Sequence, residues 1–190
     1  TPDGKAPRVI QVRKNQNRTF WLMNNGEVYA AGENGNYGLG NSETTDRNYS
    51  VRVTANDTQD WQGNTIGKTF NQTKMVKVGM SDAGHDSGTS SCFALGDDGS
   101  VWVWGYNNNG QLGLGNPGIN NSTDASGGPT STAFYSANVT RPVRLPQSYF
   151  DGRQIIDMWT SGSEEAWFHA LDEHGQLWAW GHNQHGELGV

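Results

Sequence analysis

Cysteine, long apolar runs and basic clusters are all scarce in this 190-residue sequence, and each scarcity excludes a class of protein. The single cysteine, Cys92, cannot form a disulfide within the chain, and its apolar neighbours indicate a small buried residue. No stretch approaches the roughly 20 apolar residues that span a bilayer, so membrane insertion is not expected. The N-terminus lacks the apolar core of a signal peptide. Without a cluster of Lys and Arg, nucleic acid is not expected as a partner.

The residues that do abound are glycine, asparagine and tryptophan. The chain has 26 Gly, 19 Asn and 8 Trp, only 17% charged residues and a net charge of −6. Disordered chains are usually rich in charge and poor in aromatic residues, which is the opposite pattern. Small polar residues with scattered aromatics favour short strands joined by many turns. The composition therefore predicts an all-β protein.

A repeat of about 75 residues runs through the chain. Gly26, Gly99 and Gly175 lie 73 and 76 residues apart and align the segments NNGEVYAAG, DDGSVWVWG and EHGQLWAWG. The glycine-rich tails GNYGLGN, GQLGLGN and GELGV are then placed in register from Gly35, Gly110 and Gly186. With this register, copy one lacks two residues between its two glycine blocks.

The predicted order of elements in each copy is strand, loop, strand, tight turn, strand, glycine loop and strand. Copy three stops before its fourth strand. The pairs Asn25-Gly26 and Asp98-Gly99 predict two-residue hairpin turns. The predicted strand segments are VIQV, TFWLM and YSVRV in copy one, MVKV, SCFAL and RPVRLP in copy two, and IIDM and WFHAL in copy three, together with the strand after each turn.

The strands VWVW and LWAW are apolar on both faces, whereas a strand with one face in water alternates apolar and polar residues. Both faces must therefore be covered, as they are when sheets stack around an axis in a β-propeller. We expect Trp102, Trp104, Trp178 and Trp180 to lie between neighbouring sheets. The residues assigned to this repeat framework are those four tryptophans with Gly26, Gly32, Gly99, Gly105, Gly110, Gly113, Gly175, Gly181, Gly186 and Gly189.

The segment WGYNNNGQLG, from Trp104 to Gly113, with the preceding DGSVWVW, resembles the repeat of the regulator of chromosome condensation family. Copy three, WGHNQHGELG from Trp180, matches with Glu187 in place of the usual Gln. Copy one is more divergent, with Ala31 in place of Trp and the two-residue gap. The resemblance implies a β-propeller, typically seven-bladed, of four-stranded antiparallel blades.

Three blades cannot close a ring, since propellers use about four to eight. We therefore expect residues 1–190 to be one portion of a larger propeller, with closure by self-association as the alternative. The predicted repeats cover approximately 1–55, 75–146 and 151–190. Family repeats are nearer fifty residues, so copies one and two carry inserted loops, at 41–74 and 116–150.

The inserted loops are the predicted binding surface, because insertions in repeat proteins map to one face. The candidate binding residues are aromatic side chains in polar surroundings: Trp61, Tyr49, Phe134, Tyr135 and Tyr149. The alternative for each ring is that it folds back into the core of its own loop.

Catalytic and cofactor motifs are not visible in the sequence, so neither enzymatic activity nor a cofactor is expected. His169, His174, His182 and His185 cluster in copy three, but a zinc site needs three or four converging ligands, and no metal is predicted.

These observations favour a non-enzymatic protein-interaction or structural scaffold. The composition favours an extracellular, cell-surface or virion location, with receptor binding as a role. Two alternatives remain: a carbohydrate-binding adhesin that uses the loop aromatics, and, by the resemblance, a regulator of the guanine nucleotide exchange type. The expected partners are proteins, including self-assembly, or glycans.

Overall fold

Every strand of the structure belongs to one of three antiparallel sheets. The computed structural model describes residues 6–82, 89–115, 137–162 and 165–189. The first blade contains β1 (Val9–Lys14), β2 (Arg18–Met23), β3 (Val28–Gly32) and β4 (Arg47–Arg52). The second contains β5 (Met75–Met80), β6 (Ser91–Gly96), β7 (Val101–Gly105) and β8 (Val139–Arg144), and the third contains β9 (Ile155–Ser161), β10 (Trp167–Asp172) and β11 (Leu177–Gly181).

Each sheet is a meander in which neighbours in sequence pair antiparallel. The order is β1-β2-β3-β4 in the first blade and β5-β6-β7-β8 in the second, while the third has three strands among the described residues. Short 3-10 helices, Phe70–Gln72 and Gln147–Phe150, lead into the next blade. The prediction of an all-β propeller built from four-stranded antiparallel blades is confirmed.

The tight turns differ from the two-residue hairpins that the sequence predicts. Met23 and Glu27 close the first turn, with the Met23 N–H donating to Glu27 O at 2.8 Å and the Gly26 N–H to Met23 O at 2.9 Å. Three residues therefore form the connection, and only Gly26, at φ 87°, has a left-handed backbone. This is a type I turn followed by a glycine bulge. The Asn25 side chain instead accepts the N–H of Glu27, at 3.1 Å.

The two-residue gap assigned to copy one is wrong. The N–H of Gly40 donates to Tyr37 O, and the N–H of Tyr37 to Asn34 O, which repeats the bonds of Gly113, Gly110 and Asn107. The copies therefore align without a gap. Counting glycines hid the match, because Tyr37 takes the left-handed conformation, at φ 58°, that glycine takes in the other two copies.

The middle blade carries the core of the molecule, and its tryptophans are covered on both faces as predicted. Trp102 and Trp104 are fully buried. Phe20 of the first blade meets Trp104 edge-on with ring centroids 5.8 Å apart, and Phe70 meets Trp102 at 5.4 Å. The Trp104 indole N–H donates to Gly38 O at 3.0 Å.

Trp178 and Trp180 of the third blade are only half-buried, contrary to the expectation that they are hidden like Trp102 and Trp104. Phe150 contacts both rings, at 5.8 and 6.0 Å, and so covers the side that faces the second blade. The opposite face of the blade has no neighbouring sheet among the described residues, and Leu177 is accordingly 52% exposed.

Candidate protein-binding site

The insertion of the first blade crosses to the second blade and holds its outer strand. We call residues 54–69 the strap; they follow β4 and precede the first 3-10 helix. The N–H of Trp61 donates to Arg144 O at 2.9 Å, at the end of β8. Just before β4, the N–H of Ser42 donates to Thr140 O at 2.9 Å. Blade one thus bonds to the outer edge of β8 at two points.

Asp60 organises the tip of the strap. Its Oδ1 accepts the backbone N–H groups of Gln62 and Asn64, at 3.0 and 2.9 Å. An isolated bridge pairs Gln59 with Thr65, so the chain doubles back as a short hairpin. An Asp that bonds to its own backbone two residues on favours a fixed turn. The strap is therefore a folded unit with its own hydrogen bonds.

A bidentate ion pair joins the strap to β8. The Arg141 guanidinium donates to both carboxylate oxygens of Asp57, each at 2.8 Å. This hydrogen bond from Arg141 is the main reason why the pKa of Asp57 is lowered, and it likewise raises the pKa of Arg141. The two side chains are 34% and 44% exposed, so the pair orients the strap more than it stabilises the fold.

Between the strap and β8 lies a cleft of about 420 Å³. Its lining residues are Asn56, Asp57, Thr58, Gln59, Asp60, Trp61, Arg141 and Val143. The wall therefore combines one aromatic ring with carboxylates, amides and a guanidinium. Such a mixture of an anchor and oriented polar groups is typical of recognition surfaces.

The predicted binding residues occupy different surroundings. Trp61 is half-buried, lines the cleft and packs against the core. Tyr149 is half-buried in the second 3-10 helix; its hydroxyl donates to Leu114 O and accepts from the Gln62 amide, both at 3.2 Å. Burial raises the pKa of Tyr149. Tyr49 stands apart on β4 and is 61% exposed, and Phe134 and Tyr135 lie outside the described residues.

Sequence reasoning missed the polar residues of the cleft and one asparagine of the repeat. Asp57 and Arg141 are 84 residues apart, and no local pattern links them. Asn34 is buried; its Oδ1 accepts the Leu39 N–H at 2.9 Å, and its amide donates to Glu43 O at 2.8 Å. Its signal was present, since an asparagine stands at this position in all three copies.

The four histidines of copy three do not form a metal site. His182 lies between Glu187, 3.2 Å from its Nδ1, and Glu165, 3.6 Å from its Nε2. In the parts of the chain that the structure describes, no group of three His, Cys, Asp or Glu side chains could hold a metal ion. The described helices include none long and apolar enough to cross a membrane.

Comparisons with known proteins point to one repeat family. The model of the regulator of chromosome condensation (RCC1) repeat matches residues 98–154. The chain is 25% identical to the mouse E3 ubiquitin-protein ligase HERC2 over an alignment of 213 residues, and this alignment covers 96% of the chain. The structure of Prp20p from Saccharomyces cerevisiae, studied for its binding to Gsp1p and histones, superposes with a TM-score of 0.61 at 14% identity over 96% of the chain. Human WBSCR16 is 17% identical over 98% of the chain, with a TM-score of 0.46.

The relatives are much longer than this chain, which spans 4% of HERC2, 35% of the Prp20p chain and 50% of the WBSCR16 chain. They also correct one prediction. The preference for an extracellular or virion location is wrong, because the relatives Prp20p and HERC2 are nuclear or cytoplasmic proteins. A structural, receptor-binding or surface role finds no support among them either.

Proposed function

We propose that this chain, a run of propeller blades built from RCC1 repeats, is a non-catalytic scaffold that binds a protein partner through the cleft between the strap and β8. The observation that carries the proposal is the fixed geometry of the strap. The backbone bond from the Trp61 N–H to Arg144 O and the Asp57–Arg141 ion pair join it to β8. A preformed surface of this kind loses little conformational entropy on binding.

The carboxylates of the cleft favour recognition over catalysis. Arg141 keeps the pKa of Asp57 below its usual range, so Asp57 is ionised at neutral pH and is a poor proton donor. Asp60 is occupied by the backbone and side chain of Asn64. Neither group is poised for general acid or base chemistry, whereas both can orient the donors of a partner.

Protein rather than glycan is the partner class that the surroundings of Trp61 favour. Sugar-binding tryptophans present an open ring face, but Trp61 packs against the core and is half-buried. The RCC1-type propeller of yeast binds the proteins Gsp1p and histones, and a protein partner for this chain is in keeping with that use of the fold. Glycans and self-assembly have no comparable support.

A matched pair of strap variants tests the proposal. A photo-cross-linker placed at Gln59 first captures partner proteins in a cell extract of the organism that encodes the chain. Each captured partner is then identified and purified. Thr58→Arg places a long cation inside the cleft, whereas Thr65→Arg places the same residue on the strap away from the cleft lining. We expect Thr58→Arg to weaken partner binding by about tenfold or more, and Thr65→Arg to change it less than about twofold.

Melting temperatures of both variants serve as the folding control, because both positions are exposed. If the purified partner binds Thr58→Arg as tightly as the unmodified chain, the cleft is not its contact surface. If the cross-linker captures no protein, or if no captured protein binds the chain after purification, the scaffold proposal itself fails.

A further inference from the structure

The charges that line the cleft between the strap and β8 do not cancel. Its lining contains two carboxylates, Asp57 and Asp60, and one cation, Arg141. Both oxygens of Asp57 accept from the Arg141 guanidinium, each at 2.8 Å, so these two side chains form a neutral pair. Within the described residues, no Lys, Arg or His side chain forms an ion pair with Asp60. One negative charge of the cleft is therefore uncompensated.

The hydrogen bonds of Asp60 hold its carboxylate in place without neutralising it. Its Oδ1 accepts the backbone N–H groups of Gln62 and Asn64, at 3.0 and 2.9 Å, and its Oδ2 accepts the side-chain amide of Asn64 at 3.0 Å. All of these donors are uncharged amides, and a carboxylate oxygen has two lone pairs, so Oδ2 can accept a further donor. The charge also acts beyond the turn. Burial is the main reason why the pKa of Tyr149 is raised, and the Asp60 charge adds to it.

Apolar surface lies next to this charge. Trp61 follows Asp60 in the strap, Val143 lies on β8, and both half-buried side chains line the cleft and pack against the core. A lysine or arginine side chain matches this combination, since its stem packs along apolar surface while its charged head stays at a polar group. An acidic side chain would instead place a second negative charge beside Asp60, and an apolar one would desolvate the carboxylate without a partner.

We propose that the cleft binds a lysine or arginine side chain of the partner protein, with the stem against Trp61 and Val143 and the cationic head at the Asp60 carboxylate. This inference rests on the proposed protein-binding function and adds the chemistry of the residue that enters the cleft. Arg141 does not oppose the incoming cation, because Asp57 neutralises it. The net charge of the whole chain, −6, also favours the approach of a cationic segment.

Peptide selection provides the probe. Short random peptides displayed on phage are selected on the whole chain, with counter-selection on Thr58→Tyr. This variant fills the cleft without adding a charge, so the counter-selection does not itself favour cationic peptides. We expect every recovered peptide to contain a lysine or arginine that it needs for binding. Replacing that lysine by norleucine, or that arginine by citrulline, keeps the stem and removes the charge, and should weaken binding by about fivefold or more.

Asp60→Asn is the matching change in the protein. Asparagine keeps the Oδ1 acceptor for the N–H groups of Gln62 and Asn64 and removes only the charge. We expect this variant to bind the recovered peptides about fivefold or more weakly. Asp97→Asn removes the same charge from an exposed turn of blade two and should change binding by less than about twofold. Melting temperatures check that both variants are folded.

A double-mutant cycle separates a direct contact from a misplaced strap. If the basic residue pairs with Asp60, the norleucine or citrulline peptide has already lost this interaction, and Asp60→Asn should weaken it by less than about twofold further. If Asp60→Asn disturbs the strap as a whole, it should weaken the charged and the uncharged peptide by the same factor. Additive losses would therefore overturn the proposal.

The remaining outcomes distinguish this inference from the proposed function. Recovered peptides that bind without a basic residue, that depend on an aspartate or glutamate, or that bind Asp60→Asn as tightly as the unmodified chain would refute the cation site and leave the cleft as the binding surface. Failure to recover any peptide would also overturn the inference. The protein-binding proposal itself is decided separately, by the cross-linker at Gln59 and the purified partner.

Discussion

At the scale of single residues, one contact explains why the tryptophans of copies two and three accompany glycine-rich loops. A Cβ added to Gly40 would lie 2.9 Å from Nε1 of Trp104, and one added to Gly113 would lie 2.5 Å from Cδ1 of Trp180. The glycine loops of the first and second blades therefore rest on a tryptophan of the following blade, and a side chain on either loop would push the two blades apart. The sequence pattern predicted both residue types but not that each pair spans two blades.

Gly113→Ala should lower the free energy of unfolding by roughly 2–4 kcal/mol, because it adds a clash with Trp180 to the cost of a left-handed alanine at φ 72°. Gly63→Ala is the matched control. Gly63 has φ 85° but no atom within 4 Å of an added Cβ, so only the backbone cost, about 1 kcal/mol, should appear. Urea unfolding of both variants measures the difference, and equal losses would contradict the packing account.

The repeated asparagine supports a second prediction. Asn34→Asp keeps the acceptor for the Leu39 N–H but replaces an amide donor with a buried carboxylate that faces Glu43 O. We expect this substitution to lower the free energy of unfolding by about 2 kcal/mol or more at pH 7. At the equivalent position Asn183 is exposed and accepts the Leu188 N–H at 3.1 Å, so Asn183→Asp should cost less than about 0.5 kcal/mol. Similar losses at the two sites would refute the role given to burial.

At the scale of elements, the strands were predictable and the connections were not. Alternation, apolar runs and turn residues place the eleven strands found among the described residues, because those signals are local. The register of copy one was wrong because Tyr37 occupies a left-handed position without being glycine. The strap's contact with β8 carries no local signal at all, since it depends on residues such as Asp57 and Arg141 that meet only after folding.

The β10–β11 hairpin depends on Asp172, a buried carboxylate. Its Oδ1 accepts the N–H groups of His174 and Gln176, and its Oδ2 accepts from Arg153 and the Trp178 indole. Burial by itself would raise the pKa of Asp172, but these hydrogen bonds, led by that from Arg153, outweigh it and hold the pKa well below its usual range. A depressed pKa stabilises the fold above the unfolded pKa of about 4, and this contribution is lost as the pH falls below that value.

Asp172→Asn should therefore lower the melting temperature most near neutral pH. The difference from the unmodified chain should narrow as the pH falls below about 4, because the Asp172 carboxylate of the unfolded chain then becomes protonated and the advantage of the folded state shrinks. Asp97→Asn, at an exposed hairpin position of blade two, is the control and should show little difference at any pH. Thermal unfolding between about pH 3 and pH 7 provides the measurement. A difference in melting temperature between Asp172→Asn and the unmodified chain that stays constant across this pH range would contradict the role given to the carboxylate.

At the scale of the whole molecule, stability and exposure follow the order of the blades. The middle blade is buried on both faces, while the first and third each have one face without a neighbouring sheet among the described residues. The exposure of the outer faces could not be predicted from the repeat sequence. Trp102 and Trp178 occupy equivalent positions of the repeat, but Trp102 lies between two blades whereas Trp178 has a neighbouring sheet on one side only among the described residues.

The central claim is that the tryptophans of β7 are sealed between blades, and exchange of the indole N–H groups measured by NMR tests it most directly. Trp104, whose N–H donates to the Gly38 carbonyl of the preceding blade, should exchange at least about a hundredfold more slowly than Trp159, which is 46% exposed. Tryptophan-to-phenylalanine variants assign the signals. Slow exchange at Trp104 and fast exchange at Trp159 is the predicted result, and equally fast exchange at the two indoles would contradict the stacked-blade structure.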